Sequence, residues 1–274
     1  MKELIKKPKN ILKNKKLLPY YGGKFYLAKE LLSYIPPHET YVEVFGGGAT
    51  LLFIKEPAKL EVYNDIDGNL SNFFLVLAHK FDEFITKLQA LPYSDFIRKY
   101  YNETLEEGND VDRAVKIFYI LHTNFNGILR PSPGFSRALK SLKAFIHKKL
   151  YLPAFYDRIQ NVIIENSDFE KIFKYYDKEN TFFYLDPPYL LETRLVKQGY
   201  KFEMTTEDHI RMLKVILNAK GKVMLSCYDN DLYKEYLKGW NKIEIETVKY
   251  SSNKKIKPKI FETVYMNYDI TNKQ

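Results

Sequence analysis

A chain of 274 residues, 45% hydrophobic and 28% charged, is long enough to bury a full core, either as one large domain or as one domain carrying an insertion. Its single cysteine, Cys227, excludes an internal disulfide and any multi-cysteine metal site and fits a reducing, cytoplasmic setting. No segment approaches the ~18 consecutive apolar residues of a membrane span. The formal net charge of +9 favours a polyanionic partner through phosphate contacts and counterion release, without saying which polyanion.

Residues 1–17 read as a basic arm. Met1–Lys16 carries seven Lys and lacks the apolar run of a signal peptide, so it reads as solvated, with phosphate binding as an added role. From Leu18 to about Ala78 the pattern is helix, strand, turn, helix, strand, helix. Tyr41-Val42-Glu43-Val44-Phe45 is a short apolar run ended by Gly46-Gly47-Gly48, and Leu60-Glu61-Val62-Tyr63-Asn64-Asp65 is a second strand ending on an acid. A helix over Asn69–His79 follows. Strands alternating with helices predict a parallel sheet with crossover helices.

The middle, residues 80–156, changes texture. Apolar residues recur at spacings of three and four, as in Phe81, Phe84, Ile85, Leu88 and in Val115, Phe118, Tyr119, Leu121, which predicts helices. Between them runs a breaker-rich loop from Asn124 to Gly134. Alternation then returns with Val162–Glu165, Thr181–Asp186, a helix over Thr206–Asn218 and Lys222–Ser226. Two last runs, Ile243–Tyr250 and Phe261–Tyr268, joined by a Lys-rich loop, read as an antiparallel hairpin on the sheet edge. The predicted fold is therefore an α/β domain (residues 18–79 and 157–270) interrupted by a helical insertion (residues 80–156).

Three segments carry chemistry. Phe45-Gly46-Gly47-Gly48 follows a strand and precedes a helix, where glycines let backbone turn sharply and approach a ligand; an ordinary structural turn reads the same way. Asp65 lies about 20 residues beyond, where open α/β sheets hold ribose hydroxyls, although an acid there also caps helices. Asp186-Pro187-Pro188-Tyr189 ends a very apolar strand at its carboxyl edge. An adenine amino group is a poor nucleophile because its lone pair is delocalised into the ring. A carboxylate and a backbone carbonyl, each accepting one N–H, localise that pair. Two prolines stiffen the turn, and a tyrosine ring offers a stacking face for an extruded base. The 23 Tyr and 19 Phe against one Trp suit base stacking, though coding bias explains them equally well.

Taken in order, Tyr20-Tyr21-Gly22-Gly23-Lys24, Phe45-Gly46-Gly47-Gly48, Asn64-Asp65-Ile66-Asp67 and Asp186-Pro187-Pro188-Tyr189 resemble the Dam-type, alpha-class adenine-N6 DNA methyltransferases. The resemblance implies a Rossmann-like methyltransferase sheet, mostly parallel, with a helical target-recognition insertion. It implies S-adenosylmethionine as methyl donor, held by Tyr20, Lys24, Glu43, Phe45, Gly46, Gly48, Asp65, Asp168 and Asp186. It implies Asp186, Pro187, Pro188 and Tyr189 as the catalytic turn, and double-stranded DNA as partner, with Asn126, Arg130 and Arg137 as contacts. Asn124–Arg130 is similar to the family's recognition segment, but Pro131–Arg137 departs from what usually follows and leaves the target sequence open. A Tyr at position 20, where the family often has Trp, keeps an aromatic wall.

No metal is implied, since the five His are scattered without ligand spacing. His209 reads as a helix-surface residue and Cys227 as a buried small hydrophobe. Cytosine-N4 methylation, an RNA substrate and a catalytically idle DNA-binding relative stay open beside adenine methylation. A restriction-endonuclease companion and a monomeric state are further implications of the resemblance.

Overall fold

The computed structural model describes residues 11–20, 22–124, 127, 129, 134–194, 200–248 and 259–270. Asn126, Arg130, Tyr21, residues 1–10 of the basic arm and residues 249–258, with most of the Lys-rich hairpin tip, lie outside them. In chain order the elements begin with α1 (Ile11–Asn14), α2 (Ala28–Leu32), β1 (Thr40–Glu43), α3 (Thr50–Ile54) and β2 (Leu60–Asn64). Five helices follow: α4 (Gly68–His79), α5 (Phe81–Gln89), α6 (Asp95–Glu103), α7 (Asp110–Thr123) and α8 (Leu139–Ile159). The chain then forms β3 (Val162–Glu165), α9 (Phe169–Tyr176), β4 (Thr181–Leu185), α10 (Thr206–Leu217), β5 (Lys222–Cys227), α11 (Asp231–Tyr236), β6 (Asn241–Val248) and β7 (Lys259–Met266). They divide into two compact units, Met1–Gly23 with Gly68–Asn161, and Lys24–Asp67 with Val162–Gln274.

The second unit is a seven-stranded sheet in the order β3-β2-β1-β4-β5-β7-β6. The first five strands are parallel, and β7 runs antiparallel to both β5 and β6, so the α/β sheet with a C-terminal hairpin is found as predicted. The order reverses between β1 and β4, which is the switch point where such sheets bind ligands beyond their carboxyl ends. Glu43 pairs with Tyr184 in the ladder, and Val44 N–H donates to the Tyr184 carbonyl at 3.1 Å. That register brings the Phe45 turn and Asp186 out side by side.

Burial explains why β4 lies at the centre. All five of its residues are buried, as a near-continuous apolar run in a parallel sheet requires, and Phe183 stacks on Phe173 of α9 at 4.1 Å. Helix α10 is set by a capping box between Thr205 and Asp208. It buries His209 along with Met212, Leu213 and Ile216. This corrects the surface placement of His209: spacing of three, four and seven puts it on the apolar face. There burial lowers its imidazole to about 4, so it is neutral, and Nδ1 lies 2.7 Å from the Tyr233 hydroxyl. Cys227 is buried, as its strand position predicts.

The first unit is helical, with no strand among its described residues. Its centre is α7, started by a capping box between Asn109 and Asp112 and buried on nearly every face. Phe73 of α4 and Phe118 of α7 both meet Phe84 of α5 edge-on, at 5.8 and 6.2 Å. Such packing ties residues 68–79 to this unit, although their place in sequence suggests the sheet domain; residues 80–156 also lie within it. Part of the tyrosine excess also goes into cores: Tyr41, Tyr63, Tyr119 and Tyr233 are fully buried, each with a bonded hydroxyl. Among the described residues no helix is long and apolar enough to cross a membrane.

Candidate active site

Beyond β1 the chain turns at Phe45-Gly46-Gly47-Gly48 before entering α3. Gly47 has φ +49°, and Ala49 has φ +52°, a conformation that side chains disfavour. A Cβ on Gly46 would lie 2.2 Å from the Tyr63 ring, so the turn packs on β2 too tightly for any side chain there. Tyr63 in turn donates its hydroxyl to the Gly47 carbonyl at 3.0 Å. From the end of β2, Asp65 closes the arrangement. Its Oδ2 accepts Gly47 N–H and its Oδ1 accepts Asp67 N–H, both at 2.8 Å. Burial pushes the Asp65 carboxyl up to about 6.

Asn64 is a cross-link that the residue pattern does not single out. Its amide donates to the Val44 carbonyl (2.8 Å) and the Ser167 carbonyl (3.0 Å), and its Oδ1 accepts Ser167 N–H (2.9 Å). It thereby joins the carboxyl ends of β1, β2 and β3. Glu43, the last residue of β1, is buried. Its Oε1 accepts the Tyr41 hydroxyl and Leu52 N–H, both at 2.9 Å. Its Oε2 is buried with no hydrogen-bond partner among the described residues, and burial lifts the carboxyl to about 7.

Asp186 emerges from β4 with its side chain 17% exposed. Lys24 Nζ lies 2.7 Å from its Oδ1, and the Tyr189 hydroxyl lies 3.1 Å from the same atom. Its Oδ2 has no hydrogen bond among the described residues. Lys24 also meets Glu262 Oε1 at 3.1 Å and sits over the Tyr189 ring, 4.7 Å from the centroid. Tyr189 donates its hydroxyl to Glu262 as well, and its ring meets Tyr228 edge-on at 4.7 Å. Burial works against charge on Lys24, but Asp186 and Glu262 outweigh it and hold the ammonium well above its ordinary value. Burial pushes the Asp186 carboxyl up to about 6, opposed by Lys24 and reinforced by Glu262.

The remaining candidates are less gathered. Asp168 is the N-cap of α9, accepting Glu170 N–H at 2.9 Å and pairing with Arg211 at 3.0 Å, so its carboxylate already has local work. Phe45 packs on Phe169 with centroids 6.0 Å apart. Tyr20 belongs to the helical unit, where its carbonyl accepts Gly23 N–H at 3.1 Å. Arg137, also in that unit, has a side chain 76% exposed, 3.3 Å from Asp95. Among the described residues, no three His, Cys, Asp or Glu side chains gather as a metal site.

Residues 20–251 match the model of the D12 class N6 adenine-specific DNA methyltransferase family. The chain belongs to that family. It resembles the type II methyltransferase M.CviBI of Paramecium bursaria Chlorella virus NC1A, 25% identical over 236 residues, or 85% of this chain and 90% of that one. Similarity to the type II methyltransferase M1.LlaDCHI of Lactococcus lactis subsp. cremoris is 27% over 281 residues, 95% and 98% of the two chains. The DNA adenine methylase of Escherichia coli (strain K12) is 23% identical over 239 residues, 82% and 84%.

This D12 class enzyme therefore methylates the N6 of adenine in DNA and uses S-adenosylmethionine. Its residues fit that cofactor on their own terms. The glycine turn leaves backbone at the switch point. The orphaned Oε2 of Glu43 is an acceptor in want of a donor. Lys24, Asp186 and Glu262 together carry one cation between two acids, a balance suited to a sulfonium.

Proposed function

We propose that Asp186 receives the target amine and that the surrounding residues hold cofactor and base for direct methyl transfer, without a covalent enzyme intermediate. The observation that carries this reading is the asymmetry of the Asp186 carboxylate. Oδ1 is anchored by Lys24 and Tyr189, while Oδ2 is uncommitted among the described residues at the carboxyl edge of β4.

In this reading a target adenine is rotated out of double-stranded DNA. Asp186 Oδ2 accepts one amino hydrogen, and the Pro187 carbonyl accepts the other. Localising the nitrogen lone pair this way is orientation and electrostatic placement, not proton abstraction at a distance. Pro187 and Pro188 lack N–H groups, so the turn offers the amine acceptors without a competing donor. Tyr189 supplies an aromatic wall beside them. S-adenosylmethionine, when bound, supplies the electrophilic methyl group. Glu43, Phe45, Gly46, Gly48, Asp65 and Lys24 line its place, and Tyr20 and Asp168 are assigned to it from the family resemblance.

We assign target recognition to residues 80–156, with Arg137, Asn126 and Arg130 as DNA contacts and the basic arm as a phosphate contact. The type II relatives support a restriction-endonuclease companion. We take the enzyme to act as a monomer in the cytoplasm.

The test is tritiated methyl transfer to unmethylated genomic DNA by Asp186→Ala. Transfer is expected to vanish while the melting temperature and cofactor binding persist. Retention of most activity would remove Asp186 from this role.

A further inference from the structure

Glu262 lies outside every motif that points to the site, yet it touches two of the site's members. It stands on β7, opposite Ile245 of β6, and is buried. Its Oε1 takes both Lys24 Nζ, at 3.1 Å, and the Tyr189 hydroxyl. These two groups also approach Asp186 Oδ1. The four side chains thus close a ring in which two carboxylates share one ammonium and one hydroxyl.

A phenol has one proton. Burial pushes the Tyr189 phenol well above its ordinary value, so that proton stays on, and it is given to one carboxylate at a time. Both carboxylates lie within reach of that one proton, so whatever share Glu262 takes is withdrawn from Asp186. Lys24 is also divided between the two acids, 2.7 Å from Asp186 Oδ1 and 3.1 Å from Glu262 Oε1.

We propose that Glu262 is a positioning residue for methyl transfer: by taking a share of Lys24 and of the Tyr189 hydroxyl, it keeps Asp186 Oδ2 uncommitted and its negative charge available to the target amine. The proposal rests on the reading that Asp186 receives the amine. Without the Glu262 charge, Lys24 and Tyr189 turn wholly to Asp186. An ammonium with three donors can then engage both oxygens of one carboxylate in a setting of low dielectric, and the amine meets a neutralised acceptor.

Glu262→Gln keeps the volume and leaves Lys24 and Asp186 as a neutral pair, so no lone buried charge results. The readout is the single-turnover rate of tritiated methyl transfer to unmethylated genomic DNA as a function of pH, with Asp186→Ala alongside. The groups that act on Asp186 are Lys24, Glu262, Tyr189, Tyr184 and Glu43. Of these, Glu262 opposes its ionisation and Lys24 favours it. The Gln variant is therefore expected to lose about 10- to 100-fold in single-turnover rate. Its dissociation constant for S-adenosylmethionine should stay within about threefold, and the acid limb of its rate profile should move to lower pH. Glu262→Asp, which keeps the charge at shorter reach, should recover part of the rate with the acid limb near that of the wild type. A Gln variant with wild-type rate and acid limb overturns the proposal, and the reading of Asp186 survives if Asp186→Ala is inactive. If Asp186→Ala is active, that reading fails first. Should the Gln variant not fold, Glu262→Asp decides: a rate reduced at least threefold with an unmoved acid limb supports the role, and an unchanged rate removes it.

Discussion

Asp65 holds the glycine turn from the end of the neighbouring strand, its Oδ2 accepting Gly47 N–H at 2.8 Å. The carboxylate we assign to the cofactor ribose is thus also the keystone of the glycine turn. Asp65→Asn would place an amide donor against one of two backbone donors and leave that N–H unmet. Cofactor affinity measured by calorimetry is expected to fall about 10- to 100-fold, since one buried hydrogen bond to a charged group is lost and two N–H groups are set against each other in its place. Because the carboxyl titrates near 6 in the folded chain, wild-type affinity should also weaken as pH falls through 6. An Asn variant with unchanged affinity would show that the turn is held without Asp65.

Two glycines are predicted to fail for different reasons. On Gly46 a methyl group would meet the Tyr63 ring at 2.2 Å, and that ring is itself buried and tied to Gly47, so Gly46→Ala should lower the melting temperature by several degrees and abolish cofactor binding. Pairing it with Tyr63→Ala should restore part of the binding. Gly127 has φ +61°, and a Cβ there would lie 1.4 Å from the Pro19 carbonyl, a backbone group that no rotamer change can move aside. Gly127→Ala should therefore lose DNA methylation with no second-site rescue at Pro19, as transfer assays on the single and double variants would show.

Arg98 anchors Asn124, the first residue of the segment we assign to target recognition. It is buried, with Nε and Nη2 on Asp95 Oδ1 at 2.8 and 2.7 Å and Nη1 on Asn124 Oδ1 at 3.1 Å. Asn124 exchanges a second bond with Asn102 at 3.0 Å and is the residue from which the segment departs. A lysine cannot reproduce this fork. For Arg98→Lys, the KM for DNA should rise at least about 10-fold, with cofactor affinity unchanged, because the sheet unit is untouched. A KM for DNA within twofold of the wild type would detach Arg98 from recognition.

The strands, the glycine turn and the Asp186 turn were legible because each is local: apolar runs of strand length, glycines after one, a rigid proline turn after another. Glu262 was not, because nothing in its neighbourhood marks it. Its strand places it on one face with Val264 and Met266, both buried, and an acid in step with apolar residues was the available clue. His209 offered the same kind of clue through its spacing to Met212, Leu213 and Ile216. Asn64 was overshadowed by the acid beside it, since side-chain bonds to two neighbouring strand ends depend on sheet order, which no local pattern encodes. Chain order puts residues 68–79 with the sheet, whereas the packing of Phe73 on Phe84 puts them with the helices.

Glu43 gives a prediction about stability, and its sign follows from burial. Its carboxyl titrates near 7 in the folded chain, above the 4.5 of an unperturbed glutamate, so the folded state holds a proton that the unfolded state releases. The resulting stability is complete below about 4.5 and is lost as pH rises through 7. Asp65 and Asp186, both near 6, act in the same direction, so the wild type should lose stability from about pH 4 to pH 8. Glu43→Gln removes only the first contribution. Its melting temperature should match the wild type near pH 4 and exceed it at pH 8, by the equivalent of about 1–3 kcal/mol, with the remaining slope belonging to the two aspartates. Thermal melts of both proteins across that range make the comparison. If Oε2 of Glu43 accepts a cofactor hydrogen bond, the same variant that is more stable at pH 8 should bind S-adenosylmethionine more weakly, because an amide nitrogen there donates where an acceptor is required. A variant with neither added stability at pH 8 nor a binding defect would show that the carboxylate is hydrated and already neutral in its effect on both.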